Sequence, residues 1–324
     1  VVLASCAWAF VSAAWVPLGD SLTLDRIGGD RALFARMRIG ASSGYVATVL
    51  VGGALVSGTA LGWDAPAVVG IVAAGLTTVA ISAWMRGRMV TGRGVAWLPP
   101  EARAAERGAA VPVDPGAPPP IPTTLGQARR HGLFVLGMVG VFAGTNAPGV
   151  FIGPRVDELG GNGLEIGLAT AAGTLAEFPA YFLIGTVLAI LHPRATFLLG
   201  SLLMGVSGVI SAVVGTPELV VAARLLFGAG YSWMIVPSVA AIAAAGGPRE
   251  RASLTGLHFA TSAGGTLLVA VAGLPLVTLT GSSSLVLVVA GLLTPLGALV
   301  ALRGWPVPAG SVADGAAKRE AAAR

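Results

Sequence analysis

Charge is what this sequence has least of. Only 11% of its 324 residues are Asp, Glu, Lys or Arg, against about a quarter in an ordinary soluble domain. A soluble globule of this length would not have enough polar side chains to cover its surface. Disorder is excluded for a related reason, since 55% of the residues are hydrophobic and the mean hydropathy is +0.82. A polytopic membrane protein remains.

Other scarcities narrow the chemistry. A single cysteine, Cys6, allows neither an internal disulfide nor a cysteine metal cluster. The three histidines, His131, His192 and His258, have no ligand spacing, so no metal is expected. The chain contains no glycine-rich phosphate loop ending in Lys, no His-Glu-x-x-His and no serine-hydrolase elbow. An enzyme is therefore not expected, nor is a cofactor. Lysine is almost missing too: Lys318 stands alone beside 19 arginines, which suggests a GC-rich genome. The net charge of +5 does not point to nucleic acid, because the basic residues sit between apolar stretches.

Long apolar runs are what the chain does have. A helix needs about 20 apolar residues to cross the hydrocarbon core. Nine stretches qualify, near 1–22, 41–61, 65–85, 132–153, 164–190, 195–214, 217–244, 253–278 and 283–303. Helices are expected rather than strands, because the runs are long and lack period-2 alternation. Residue 1 is Val within the first apolar run, with no basic leader before it, so a signal peptide is not read here and the chain looks as though its beginning is missing.

Basic residues should gather on the cytoplasmic side. Counted by alternate loops and the tail, 18 of the 20 fall on one side, Arg155 falls on the other and Arg224 lies inside a span. This predicts a multi-pass inner-membrane protein with a cytoplasmic C-terminus. Residues 86–131 hold eight of the 21 prolines and form the one long hydrophilic segment, a proline-stiffened linker. The expected organisation is 1–85 as three spans, 86–131 as cytoplasmic linker, 132–304 as a six-helix half and 305–324 as cytoplasmic tail. Glycine is plentiful, at 47 residues, and spacings such as Gly140/Gly144 are read as sites of close helix packing.

Polar residues inside the bilayer are costly, and those retained usually face a cavity or a partner. Glu177, near the centre of its span in Gly-Thr-Leu-Ala-Glu-Phe-Pro, is a candidate proton or solute site, or else a structural carboxylate bonded to a neighbouring helix. Asp20 and Arg38 flank a basic hairpin and read either as a solute-binding pair or as an interfacial salt bridge or solvated loop pair. Arg224 lines the cavity or snorkels outward. His258 relays protons or bonds a neighbouring helix. Asn146, in Asn-Ala-Pro-Gly, marks either a broken stretch exposing backbone to a cavity or a simple proline kink. Tyr45, Tyr181 and Tyr231 lie in spans, where an aromatic face with a hydroxyl suits sugar or nucleoside stacking, and core packing is the commoner use. Trp63, Trp84 and Trp305 lie near span ends and read as interfacial anchors.

These residues resemble a known family. Six spans after a cytoplasmic linker look like the C-terminal half of the major facilitator superfamily, and Arg224 with Gly228 and Gly230 is similar to an Arg-x-x-x-Gly-x-Gly pattern common there. Pro17-Leu18-Gly19-Asp20, the basic loop and Arg38-Ile39-Gly40-Ala41-Ser42-Ser43-Gly44-Tyr45 resemble a helix junction of the lactose permease-like branch of oligosaccharide, nucleoside and phenylpropionate proton symporters. The resemblance implies that Asp20, Arg38 and Tyr45 contact solute. Gly173 to Pro179 looks like the eighth helix of that branch and of sugar efflux transporters, which implies a cavity-facing Glu177. The sequence departs from the branch at Phe227 and Gly230, which stand where its proton-relay His and Glu would be, and near Val206, where an Arg would be.

The expectation is an all-α polytopic membrane helix bundle of the major facilitator fold, with nine of twelve transmembrane helices present. It would move a small polar organic solute, sugar- or nucleoside-like, by alternating access with proton symport. Substrate-binding or proton-coupling roles are expected of Asp20, Arg38, Tyr45, Asn146, Glu177, Tyr181, Arg224 and His258. The expected partners are the lipid bilayer, the solute and a proton, with the protein a monomer. The alternatives are an efflux transporter of the same superfamily and a non-transporting membrane remnant of a truncated gene.

Overall fold

A computed structural model describes residues 125–245 and 251–306, together with Val46, Leu50 and Val51. Among the described residues the chain is all helical: α1 (Leu125–Glu158), α2 (Gly163–Ile190), α3 (Pro193–Val213), α4 (Pro217–Ala245), α5 (Arg251–Leu268), a π-helical turn (Val269–Gly273), α6 (Leu274–Thr280) and α7 (Ser284–Arg303). These make six spans long and apolar enough to cross a membrane, with α5, the π turn and α6 forming the fifth. All six coincide with apolar runs of the sequence from residue 132 onward.

Local chemistry sets the ends. Asn162 opens α2 with a capping box: its Oδ1 accepts from the N–H of Leu164 and Glu165, and Glu165 Oε2 accepts from the N–H of Asn162 at 2.7 Å. Pro193 starts α3, where a missing N–H costs nothing, and His192 Nδ1 accepts from the Arg194 N–H. Gly281 closes α6 in the left-handed region at φ +69°, its N–H bonded to the Val277 carbonyl.

α4 packs between α2 and α3; α7 packs between α1 and α3; α5 lies on α1, with a lesser contact to α4. The core has two parts. One, nearer the Trp305 end, gathers Phe134, Met138, Phe142, Phe197, Met234 and Trp305. The other, nearer the α1–α2 turn, gathers Phe151, Val156, Val220, Val286 and Leu287. Bare glycines let these helices touch. Gly144 has no room for a Cβ because Thr294 and the Ala290 carbonyl of α7 occupy that space, which is the close packing expected of Gly140/Gly144.

The fold decides one open choice and corrects one expectation. α1 is not broken at Asn146–Gly149. It runs through Pro148 and Pro154 as one helix of 34 residues, so the backbone there is not opened to a cavity; Pro148 removes only one ladder hydrogen bond. Trp305 is not an interfacial anchor. It is 7% exposed and packs on Phe197 at 5.1 Å and edge-on to Phe134 at 6.0 Å, closing the end of the core.

Candidate functional site

Most hydroxyls in these spans are spent within their own helix. Thr145, Thr170, Ser201, Ser211 and Thr294 each donate to the carbonyl four residues back. Polar groups that act between helices are fewer; Ser207 Oγ donates to the Ala223 carbonyl across α3–α4 at 2.7 Å, and the sequence candidates fall on two further seams.

The first seam joins α2 to α4. A Cβ on Gly228 would overlap the carbonyl of Gly173, so the two backbones touch at that level. Helix periodicity then places Glu177 and Ser232, each four residues further on, at the next level. Ser232 Oγ, buried, donates to the Gly228 carbonyl at 3.2 Å and lies 3.5 Å from the backbone carbonyl of Glu177. Glu177 is 9% exposed and sits near the middle of a helix of 28 residues. Arg224 begins one turn before Gly228, and its side chain does not snorkel outward. It runs inward: the guanidinium lies 3.8 Å from the centre of the Phe227 ring, and one of its nitrogens would be 3.3 Å from a Cβ on Gly173. The Phe227 face attracts the cation through its quadrupole, and the missing side chain at Gly173 leaves it space. Tyr231 lies parallel to Phe227, with ring centroids 6.4 Å apart, so Arg224, Phe227 and Tyr231 form a column along α4.

A carboxylate and a guanidinium are thus buried on one seam, about one helical turn apart along α2. Tyr181, one turn beyond Glu177, is 2% exposed and packs within the apolar core beside Ile184.

The second seam joins α1 to α5. Asn146 Nδ2 donates to Thr266 Oγ1 at 2.8 Å and to the Ser262 carbonyl at 3.1 Å, with Ser262 Oγ at 3.4 Å. His258, two turns into α5, is 1% exposed and enclosed by aromatic rings: Phe134 stacked at 6.1 Å, Phe142 at 5.5 Å and Phe259 at 5.5 Å. The fold therefore places Glu177 and Arg224 on the α2–α4 seam, Tyr181 one turn further along α2, and Asn146 and His258 against α1–α5 partners. Asp20, Arg38 and Tyr45 lie outside the described residues. Gly173, Phe227, Ser232, Ser262 and Thr266 were not among the sequence candidates. The four-residue spacing of Gly173 to Glu177 and of Gly228 to Ser232 was the available signal. Among the described residues there is no group of three or more His, Cys, Asp or Glu able to hold a metal.

The family model of the Major Facilitator Superfamily matches residues 133–323, from the start of the first described span to the end of the tail. The chain belongs to this superfamily. Comparison with curated proteins finds no match. Membership makes the protein a multi-pass secondary transporter, and the six described spans are the helices that the family match covers.

Proposed function

We propose that this major facilitator protein is a proton-coupled symporter for a small polar organic solute, sugar- or nucleoside-like, resembling the lactose permease-like branch. The observation that carries the reading is the burial of Glu177 and Arg224 on one seam near mid-span. A carboxylate retained at that depth is a natural proton or solute site, because charge kept inside a span is costly without a use. Binding energy gained by the protonated, loaded state is what couples the proton to the solute. Arg224, held over Phe227, supplies fixed positive charge and planar donors for hydroxyl or carboxylate oxygens, and Tyr231 extends the column with an aromatic face. Tyr181, Asn146 and His258 are assigned supporting roles on the two seams. The three spans of residues 1–85 are assigned to the opposite half, where Asp20, Arg38 and Tyr45 contribute the facing contacts. Residues 86–131 are the linker and 305–324 the tail, both on the cytoplasmic face of the inner membrane, and the protein acts as a monomer.

The test is transport in cells expressing the protein, with a panel of labelled sugars and nucleosides. A symporter raises accumulation of its solute and alkalinises the medium as it does so. Glu177→Gln should abolish coupled uptake while membrane expression is kept. Wild-type uptake with unchanged pH dependence in that variant would overturn the role of Glu177. Lowered accumulation in wild-type cells would replace symport by efflux.

A further inference from the structure

The α1, α5–α6 and α7 spans part around a cleft of about 60 Å³, next to the α1–α5 seam but lined by apolar residues. Its walls are apolar: Ala147 on α1, Ala272 and Leu276 on the fifth span, and Val289, Ala290 and Leu293 on α7. Two features create it. The π turn is a wider helical turn than its neighbours, and Gly273 within it is drawn onto the Phe151 ring, where a Cβ would come within 2.8 Å. The next element, α6, buries none of its residues fully and meets the core only through Leu276 and Val277, so the gap is not closed.

We propose that this cleft is a binding site for the acyl chain of a bilayer lipid. Its mouth decides the occupant. Leu268 and Ala272 are exposed on one rim and Val289 on the other. Val289 belongs to a stripe of α7, Leu285, Val289, Leu292, Leu296 and Leu299, every member of it 42–58% exposed. That spacing of four and three residues is one face of a helix, and in a span of this hydropathy it is the face turned to hydrocarbon. The cleft therefore opens onto lipid. Ala290 stands only six residues, or about 9 Å, inside the start of α7, so the cleft is at acyl-chain depth within a single leaflet, the one on the side of the α1–α2 turn. Water is a poor occupant, because it needs two to four polar partners and the walls offer none. An empty cleft forfeits dispersion contacts along its whole lining. A polar solute would lose its hydrogen bonds on entry. A methylene chain loses nothing and fills the space.

The experiment uses the full chain in nanodiscs of phosphatidylcholine carrying a photoactivatable diazirine in the middle of one acyl chain. After photolysis, labelled peptides are mapped by mass spectrometry. Labelling at Ala272, Leu276, Val289 and Leu293 is expected to exceed that at Leu202 and Val206, which are exposed on α3, by about tenfold, the factor that filling a cavity of this size represents. Ala290→Leu fills the cleft from within and should bring the ratio to parity. Ala272→Leu fills it from the exposed rim without disturbing packed residues, and keeps the test valid should the first variant fold poorly. Equal labelling of the two groups in the wild-type protein would overturn the proposal, as would an undiminished ratio in a folded Ala272→Leu variant. No lipid adducts along the α7 stripe, with Leu202 and Val206 labelled normally, would show that this face is covered by protein and overturn it too.

Discussion

Gly228 and Gly173 meet backbone to backbone, and this contact sets the distance at which α2 and α4 present their buried polar groups. Gly228→Ala puts a methyl where the Gly173 carbonyl stands. The two helices must separate, and overpacking of this kind costs about 1–3 kcal/mol. The expected outcome is a lower thermal unfolding temperature in detergent together with impaired transport. Gly215→Ala, at a site with open space around it, is the matched control and should change neither.

Gly173→Ala tests the other side of the same seam. A Cβ there would come within 3.3 Å of the Arg224 guanidinium and 3.5 Å of the Arg224 carbonyl. The flexible end of the arginine can yield, so folding should be nearly normal while the cation shifts off the Phe227 ring. Losing that contact is expected to weaken solute affinity by about fivefold, the factor for an interaction of roughly 1 kcal/mol. Unchanged KM would mean that the position of Arg224 does not matter for binding.

At the outer turn of α1, Arg155 and Glu158 tie three spans together. Glu158 Oε1 accepts from the N–H of Ser283 at 2.6 Å and Oε2 from Ser282 Oγ at 3.0 Å, capping the start of α7. Arg155 donates to the carbonyls of Ser211 and Val214 at the end of α3 and meets Glu158 at 3.3 Å. Glu158→Ala is expected to cost about 1–2 kcal/mol through the lost cap, and Arg155→Ala a similar amount. A double-mutant cycle should assign under about 1 kcal/mol to the ion pair itself, since it is partly exposed. Thermal denaturation in detergent reads all three numbers, and solute affinity should not follow them.

Asn146 differs from the residues of the α2–α4 seam. Its amide bonds α1 to α5 through Ser262 and Thr266. Asn146→Leu keeps the volume and removes the bonds, at a cost of about 1 kcal/mol for a pair of hydrogen bonds between helices in a membrane. Stability should fall while the pH dependence of uptake is preserved. A changed pH profile would bring Asn146 into the coupling machinery.

Arg38→Lys tests the contribution assigned to the opposite half. Lysine keeps the charge and loses the planar fork that binds two oxygens at once. A drop in solute affinity of about tenfold is expected, the cost of one charge-assisted hydrogen bond. An unchanged affinity would return Asp20 and Arg38 to an interfacial salt bridge.

Much of the fold was legible because a bilayer imposes a one-dimensional rule. Every backbone group must be bonded within its own span, so apolar run length translates directly into helices, and all six described spans sit where the runs are. Asn146–Gly149 left a break and a proline kink both open, because Pro and Gly are helix breakers in water. In a long membrane helix Pro148 costs one ladder bond, and the packing of Ala147 and Phe151 into the core holds the rest. Trp305 misled for a similar reason: a terminal tryptophan reads as an anchor, yet Phe134 and Phe197 offer it a better-packed place than the interface.

The candidate site divides in the same way. Composition and apolar periodicity determined that this is a polytopic membrane protein, and the scarcity of intramembrane charge determined which few residues deserved testing, because in hydrocarbon each charged group carries a large desolvation cost. Which of them stand together was decided only by tertiary structure. Glu177 and Arg224 are 47 positions apart in the chain, and nothing in their local sequence states that α2 packs on α4. The contact of Gly173 with Gly228 brings their helices together, and the rings of Phe134, Phe142 and Phe259 surround His258. Side-chain charge is a property of the sequence; the company each charge keeps is set by how closely the helices can approach.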